Sequence, residues 1–231
     1  MKLKFKNLQF AMSIPQKINT IIEEIPSNVK LVAVSKTKPQ EDILKAYEGG
    51  YRIFGENKPQ ELTQKHADLP KDIEWHFIGH LQTNKVKYIA EFVHLIHAVD
   101  SMKLLKEINK QAAKNNREIN CLLQFHIADE ASKFGLDLVK AKELLASDEY
   151  KALNSIKIVG VMGMATYTND EDQIRREFAN LKTIFEALKS ESFSNEDSFK
   201  EISMGMSGDY KIAIEEGSTM IRLGSTIFGS R

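Results

Sequence analysis

The sequence has a single cysteine among 231 residues, so no intramolecular disulfide can brace the fold. Cys121 lies in Ile119-Asn120-Cys121-Leu122-Leu123, an apolar strand-like run where a buried, inert thiol is expected. Long hydrophobic runs are lacking too, and no apolar stretch reaches the length that spans a bilayer. The lysine-bearing N-terminus has no apolar signal core, which gives a cytoplasmic protein as the expectation. Net charge is also missing, because 32 Lys and Arg balance 32 Asp and Glu. That balance argues against nucleic acid or an anionic membrane as the main partner. There is no low-complexity tract, no short-period repeat and no evident domain boundary. The length suits one α/β barrel or two small domains with a sizeable core.

What is present is alternation. Ser13 and Pro15 start a helix whose Ile14, Ile18, Ile21, Ile22 and Ile25 share one face. Strand-like runs then recur, each followed by a helical pattern. The first begins at Val29 and stops at Lys36. Then come Tyr51 to Phe54, Glu74 to Ile78, Phe92 to Ile96 and Ile119 to Phe125. Ile156 to Val161, Phe199 to Ile202 and Thr219 to Leu223 complete the set. Eight strands alternating with helices predict a parallel sheet, and eight is the number that closes a (β/α)8 TIM barrel. A doubly wound open sheet is the alternative, since periodicity does not show closure. Ser190 to Ser198, polar and poor in apolar residues, reads as a surface connection.

Lys36 ends a run of apolar residues that reads as a strand buried on both faces. Helix signals follow at once: Pro39 for a first turn, Glu41 and Asp42 for the dipole, Gly49-Gly50 for the end. The carboxyl end of such a strand is where α/β proteins place their chemistry. Period-two alternation puts Lys36 on one face with Val34 and Val32. Standing alone, such a lysine is more often snorkelling or salt-bridged.

The C-terminal quarter adds two glycine turns. The seventh strand runs into Ser203-Met204-Gly205-Met206-Ser207-Gly208, and the eighth into Leu223-Gly224-Ser225-Thr226. Glycine permits close backbone approach, hydroxyls donate, and a following helix offers amide N–H groups, so the pair suits a phosphate. Phosphates commonly bind after strands seven and eight of such barrels, although simple capping would explain each turn alone. Arg222 shares a strand face with Met220 and needs an acceptor there; a structural ion pair is the bland alternative. Closure would bring Lys36, Arg222 and both turns to one rim. An amine, a phosphate cradle and an arginine aimed at a ring acceptor are what pyridoxal 5′-phosphate requires. Burial beside Arg222 is expected to lower the lysine pKa from about 10.4 and favour the free amine.

Several segments resemble the pyridoxal phosphate homeostasis proteins. They are Ala33-Val34-Ser35-Lys36-Thr37-Lys38-Pro39, Phe54-Gly55-Glu56-Asn57 and Trp75 through Lys85. Gly160-Val161-Met162-Gly163-Met164, Ser203 through Ser207 and Gly217 through Gly224 complete the match, in order along nearly the whole chain. The resemblance implies one domain over residues 1–231, a barrel similar to that of alanine racemase with an extra N-terminal helix. It implies that Lys36 forms a Schiff base with the cofactor and that Arg222 faces the pyridine nitrogen. It further implies that Ser207, Gly224, Ser225 and Thr226 line the phosphate and that Asn57 lies near the ring. Where many relatives carry Gln-Val-Asn after the fifth strand, this chain has Gln124-Phe125-His126, which removes the basis for carrying over a rim role there.

The expected function is control of the vitamin B6 pool. The protein would hold pyridoxal phosphate and deliver it to apo forms of enzymes that use it, acting as a cytoplasmic monomer without robust catalysis. The alternatives are an amino-acid racemase on the same Schiff base and an aldolase-like barrel whose lysine attacks a sugar-phosphate carbonyl. Racemisation needs two acid–base groups. In alanine racemase the second is a tyrosine from a further domain, whereas this sequence stops at Thr226-Ile227-Phe228-Gly229-Ser230-Arg231. Tyr167 has no context that suggests an activated phenol. His80 is expected at the barrel mouth and His76 as a hydrogen-bonded core residue. His94 and His97 lie too near an apolar strand to suggest metal ligation without carboxylate or cysteine companions, so no metal site is expected. Met162, Met164, Met204, Met206 and Met220 read as core filling.

Overall fold

The apolar runs become eight short parallel strands in a computed structural model that describes residues 12–129 and 134–229. They are β1 (Lys30–Val34), β2 (Ile53–Glu56), β3 (Glu74–Phe77) and β4 (Leu95–Val99). The second half comprises β5 (Ile119–Gln124), β6 (Ile156–Met162), β7 (Glu201–Ser203) and β8 (Met220–Leu223). They pair in chain order, and β8 pairs back onto β1, so the sheet is a closed barrel and not an open one. The N-terminal lysines and the terminal Ser230-Arg231 lie outside the described residues. Among the described residues no helix is long and apolar enough to cross a membrane.

Strand alternation divides the core into two shells. Val32, Leu95, Ala98, Leu122, Met162 and Met220 fill the lumen. Leu31, Ala33, Phe54, Trp75 and Ile96 face outward and pack under the helices. Three of those helices are α1 (Ile14–Glu24), α2 (Gln40–Glu48) and α3 (Pro59–Asp68). Ser13 caps α1 in a reciprocal box with Gln16, satisfying N–H groups that a helix start leaves without partners. Ile18 and Ile21 are buried on its inner face, but Ile22 is 44% exposed, so the expected apolar stripe is narrower than five isoleucines. Pro39 sits one residue ahead of the first turn of α2, as its N-cap.

Two connections depart from the sequence expectation. A 3-10 helix (Thr83–Tyr88), not an α-helix, follows β3. The N–H of Val93 then bonds the Ile89 carbonyl, closing a turn that uses the first residues expected in the fourth strand. Pairing with β3 begins only at Leu95, opposite His76, which moves β4 to Leu95–Val99. The remaining helices are α4 (Met102–Lys114), α5 (Leu138–Ala146), α6 (Asp148–Lys151), α7 (Glu171–Glu191), α8 (Tyr210–Glu215) and α9 (Ser225–Phe228). The stretch after α7 is not wholly superficial. Phe193 is buried there and stacks on Phe199 at 4.2 Å between centroids.

The register between β5 and β6 shifts at Gly160. An added Cβ there would sit 1.8 Å from the Glu201 carbonyl oxygen, at a backbone φ of +157°. The obstacle is backbone inside a closed sheet, so it has little room to retreat. Gly160→Ala is expected to destabilise the protein by about 3 kcal/mol, the upper range for overpacking. Urea unfolding measures this, and an unchanged midpoint would contradict the account.

Candidate functional site

Lys36 follows β1 on the turn Ser35-Lys36-Thr37 at the carboxyl-end rim of the barrel, and is half-buried. Both flanking residues are clamped. Lys65 of α3, only 4% exposed, donates to the Ser35 carbonyl at 2.9 Å, Glu56 Oε1 at 2.8 Å and Glu61 Oε1 at 2.7 Å. The Ser35 hydroxyl donates to the same Glu56 oxygen at 2.6 Å, and the Thr37 N–H donates to Glu61 Oε1 at 2.6 Å. Thr37 has φ +64°, an unfavourable region for a β-branched residue, at a cost of about 1–3 kcal/mol. Burial pushes the Glu56 carboxyl above its ordinary pKa, opposed by Lys65 and Ser35. The three-way clamp therefore holds a strained turn at the base of the Lys36 side chain.

Arg222 lies directly opposite Val32 in the β1–β8 register and shares the lumen face with Met220. It is buried, with Nη1 donating to Ser203 Oγ at 2.6 Å and Nη2 to the Gly163 carbonyl at 3.1 Å. Burial lowers its pKa to about 10, which leaves the guanidinium charged at neutral pH. Ser203 in turn meets His97 Nδ1 at 3.0 Å, and His97 Nε2 meets His76 Nδ1 at 3.0 Å. Both imidazoles are held neutral by burial, His76 with a pKa near 3. A polar thread thus crosses the lumen from β8 through β7 and β4 to β3. His76 is the hydrogen-bonded core histidine that was expected.

The two glycine turns meet beside this rim. Ser207 Oγ accepts from the Gly224 N–H at 3.3 Å, and the Met206 N–H donates to Asp209 Oδ1 at 2.5 Å. Gly205, at φ +95°, passes so close to α8 that an added Cβ would lie 2.6 Å from the Ala213 methyl. Gly224 leads into α9, where Ser225 and Thr226 are exposed. Lys38 donates to the Phe228 and Gly229 carbonyls at 3.2 and 2.9 Å, tying the Lys36 segment to α9. Asn57, just past β2, abuts Gly79, and its Oδ1 is buried without a hydrogen-bond partner.

Lys36, Arg222, Ser207, Gly224, Ser225 and Thr226 therefore gather where β1, β7 and β8 end, with Asn57 following β2. His80 also reaches this rim, stacked on Phe134 and 3.8 Å from Asp100. Tyr167 is 97% exposed, and Cys121 is buried with its thiol pKa pushed up by desolvation. Sequence reasoning missed Lys65, Glu56, Ser203 and His97 as site supports. The Glu61–Lys65 spacing of four on a helix was the one local signal available.

The barrel with its lysine-bearing rim is that of the alanine racemase N-terminal domain, whose family model matches residues 12–231. The chain belongs to the pyridoxal phosphate homeostasis protein family. It is 40% identical to the pyridoxal phosphate homeostasis protein of Aquifex aeolicus over 87% of each chain. It is also similar to PipY of Synechococcus elongatus, solved with PLP bound. That match has 33% identity and a TM-score of 0.84, covering 94% of this chain and 100% of that one. Alanine racemase from Streptomyces lavendulae shares the fold at 15% identity and TM-score 0.74, over 95% of this chain and 57% of that one.

The clamp generates a stability prediction. Lys65→Met removes the cation paired with Glu56 and leaves a buried carboxyl without its charged partner. Breaking a buried pair in this way costs about 3–5 kcal/mol. Chemical denaturation of the two proteins reads the difference, and a loss under about 1 kcal/mol would mean that the clamp contributes little.

Proposed function

We propose that this protein binds pyridoxal 5′-phosphate at the carboxyl-end rim, holds it as a Schiff base on Lys36, and serves in homeostasis of that cofactor. The observation that carries the reading is the β1–β8 register. It places Arg222 opposite Val32 and brings Val34, two residues before Lys36, against Gly224. The polar groups suit the cofactor: an amine, a charged guanidinium with fixed acceptors, a hydroxyl-rich turn pair and, as an acceptor, the orphan carboxamide oxygen of Asn57. When bound, the cofactor supplies a reactive aldehyde and an electron-accepting ring. Arg222 donates toward the ring nitrogen and disfavours its protonation, which weakens the ring as an electron sink. Ser207, Ser225 and Thr226, with the Gly224 turn, receive the phosphate. Asn57 borders the ring.

A store and donor needs reversible holding and not turnover. Arg222 is committed to the Ser203 hydroxyl and the Gly163 carbonyl, and the phenol just beyond β6, Tyr167, is 97% exposed. The protein acts as a cytoplasmic monomer that passes the cofactor to apo enzymes.

Borohydride reduction of the loaded protein followed by peptide mapping is expected to mark Lys36, and Lys36→Ala to abolish the adduct. An adduct mainly on another lysine would sink the assignment.

The phosphate is expected to carry most of the reversible affinity, because charge-assisted hydrogen bonds are about twice as strong as neutral ones. Titration with unphosphorylated pyridoxal should show much weaker binding, and Ser207→Ala with Thr226→Ala should weaken the phosphorylated form. Equal affinities would refute the cradle.

Chiral chromatography of L-amino acids incubated with the loaded protein is expected to show almost no D-isomer. Turnover of about 1–10³ s⁻¹, lost in Lys36→Ala, would instead establish a racemase.

A further inference from the structure

The opposite mouth of the barrel, at the amino ends of the strands, holds a cavity of about 370 Å³. Glu74 and His76 lie two residues apart on β3 and both line it, as does His94, which immediately precedes β4. The His94 N–H donates to the Trp75 carbonyl at 2.8 Å, which fixes His94 against β3. One ligand atom from each of the three residues lies within 4.8 Å of the others, and His94 Nε2 is 3.7 Å from Glu74 Oε2. The His76 and His94 rings are parallel to within 2°, with centroids 5.6 Å apart.

We propose that Glu74, His76 and His94 form a binding site for a divalent transition-metal ion of the zinc type. Two imidazoles and one carboxylate are a recurrent ligand set for such ions, leaving a fourth position to water. Imidazole nitrogen favours Zn²⁺, Co²⁺, Ni²⁺ or Cu²⁺ over the oxygen-seeking Mg²⁺ and Ca²⁺. Tetrahedral bonds of about 2.0–2.1 Å put ligand atoms about 3.3 Å apart, close to the Glu74–His94 separation. Those two side chains are half-exposed and can turn onto buried His76.

The support behind the ligands argues for a built site. His76 Nδ1 is engaged by His97 Nε2, so Nε2 is the nitrogen available to an ion, and its ring orientation is fixed from behind. Metal-bound imidazoles characteristically have their other nitrogen anchored this way. Ligation through Nε2 puts the His76 proton on Nδ1. His76 then donates to His97, and His97 donates to Ser203 Oγ, which also accepts from Arg222. Lysines share the mouth, but Lys30 is paired with Glu201 at 2.5 Å, and Glu118 adds a further carboxylate to the lining. This site is independent of the cofactor assignment at the other rim.

The test uses the full untagged chain, stripped with chelator and titrated with Co²⁺ alone. The expected result is saturable binding of one equivalent with the intense d–d absorption of a tetrahedral ion, displaced by Zn²⁺. Glu74→Gln and His94→Ala, both at half-exposed positions, are each expected to weaken Co²⁺ by about tenfold or more, and His80→Ala at the far rim to leave it unchanged. His97→Asn, behind His76, should weaken it by about 10–100-fold. Absence of saturable binding, or affinity unaltered in Glu74→Gln and His94→Ala, would overturn the proposal.

Discussion

The pairing of β8 with β1 is the contact on which the rest of this structure depends. It closes the sheet, sets Val32 against Arg222 and Ala33 against Leu223, and thereby fixes which residues of both strands face the lumen. A slip of one residue would turn Arg222 out under the helices and Leu223 into the barrel, because strand side chains alternate. Closure also removes the sheet edges that an open parallel sheet would have to cover. The rim that carries Lys36 and the rim that carries the glycine turns are neighbours only because of this seam.

Around the seam, rigidity is distributed unevenly. The Lys36 turn is held from below by Lys65, Glu56, Ser35 and Glu61, a buried cluster in which a single amine serves three acceptors. Arg222 is held by Ser203 and Gly163. The hydroxyls of Ser225 and Thr226, by contrast, stand on a four-residue helix at the surface. An anchored base with an exposed lip is suited to a ligand that enters and leaves from solvent. Placing the key side chains on strand ends with buried supports gives the positional precision such a site needs.

Much of this was legible from period-two alternation. Lys36 and Arg222 were assigned to inward faces by counting from Val32 and Met220; those two residues line the lumen, and Arg222 is buried there against Ser203. All eight strands were visible as apolar runs, and the capped start of α1 could be read from Ser13 and Pro15. Contacts between distant segments were not legible. Lys65 to Ser35, His97 to Ser203 and Glu74 to His94 each join residues on different elements, and no local spacing encodes them. The expectation of no metal site at His94 rested on its apolar strand setting, whereas Glu74 comes from the adjacent strand. The fourth strand was misplaced because Phe92 and Val93 are as apolar as a strand, although Val93 is spent in closing a turn.

The central claim is that closure creates one binding rim in which Lys36 and Arg222 face the same ligand. A crystal structure of the protein grown with pyridoxal 5′-phosphate tests it most directly. The account predicts continuous density from Lys36 Nζ to the cofactor, the Arg222 guanidinium on the pyridine nitrogen, and the phosphate against Ser207 and the Gly224 turn. Density for the cofactor elsewhere, or a ring turned so that Arg222 meets another atom, would contradict it.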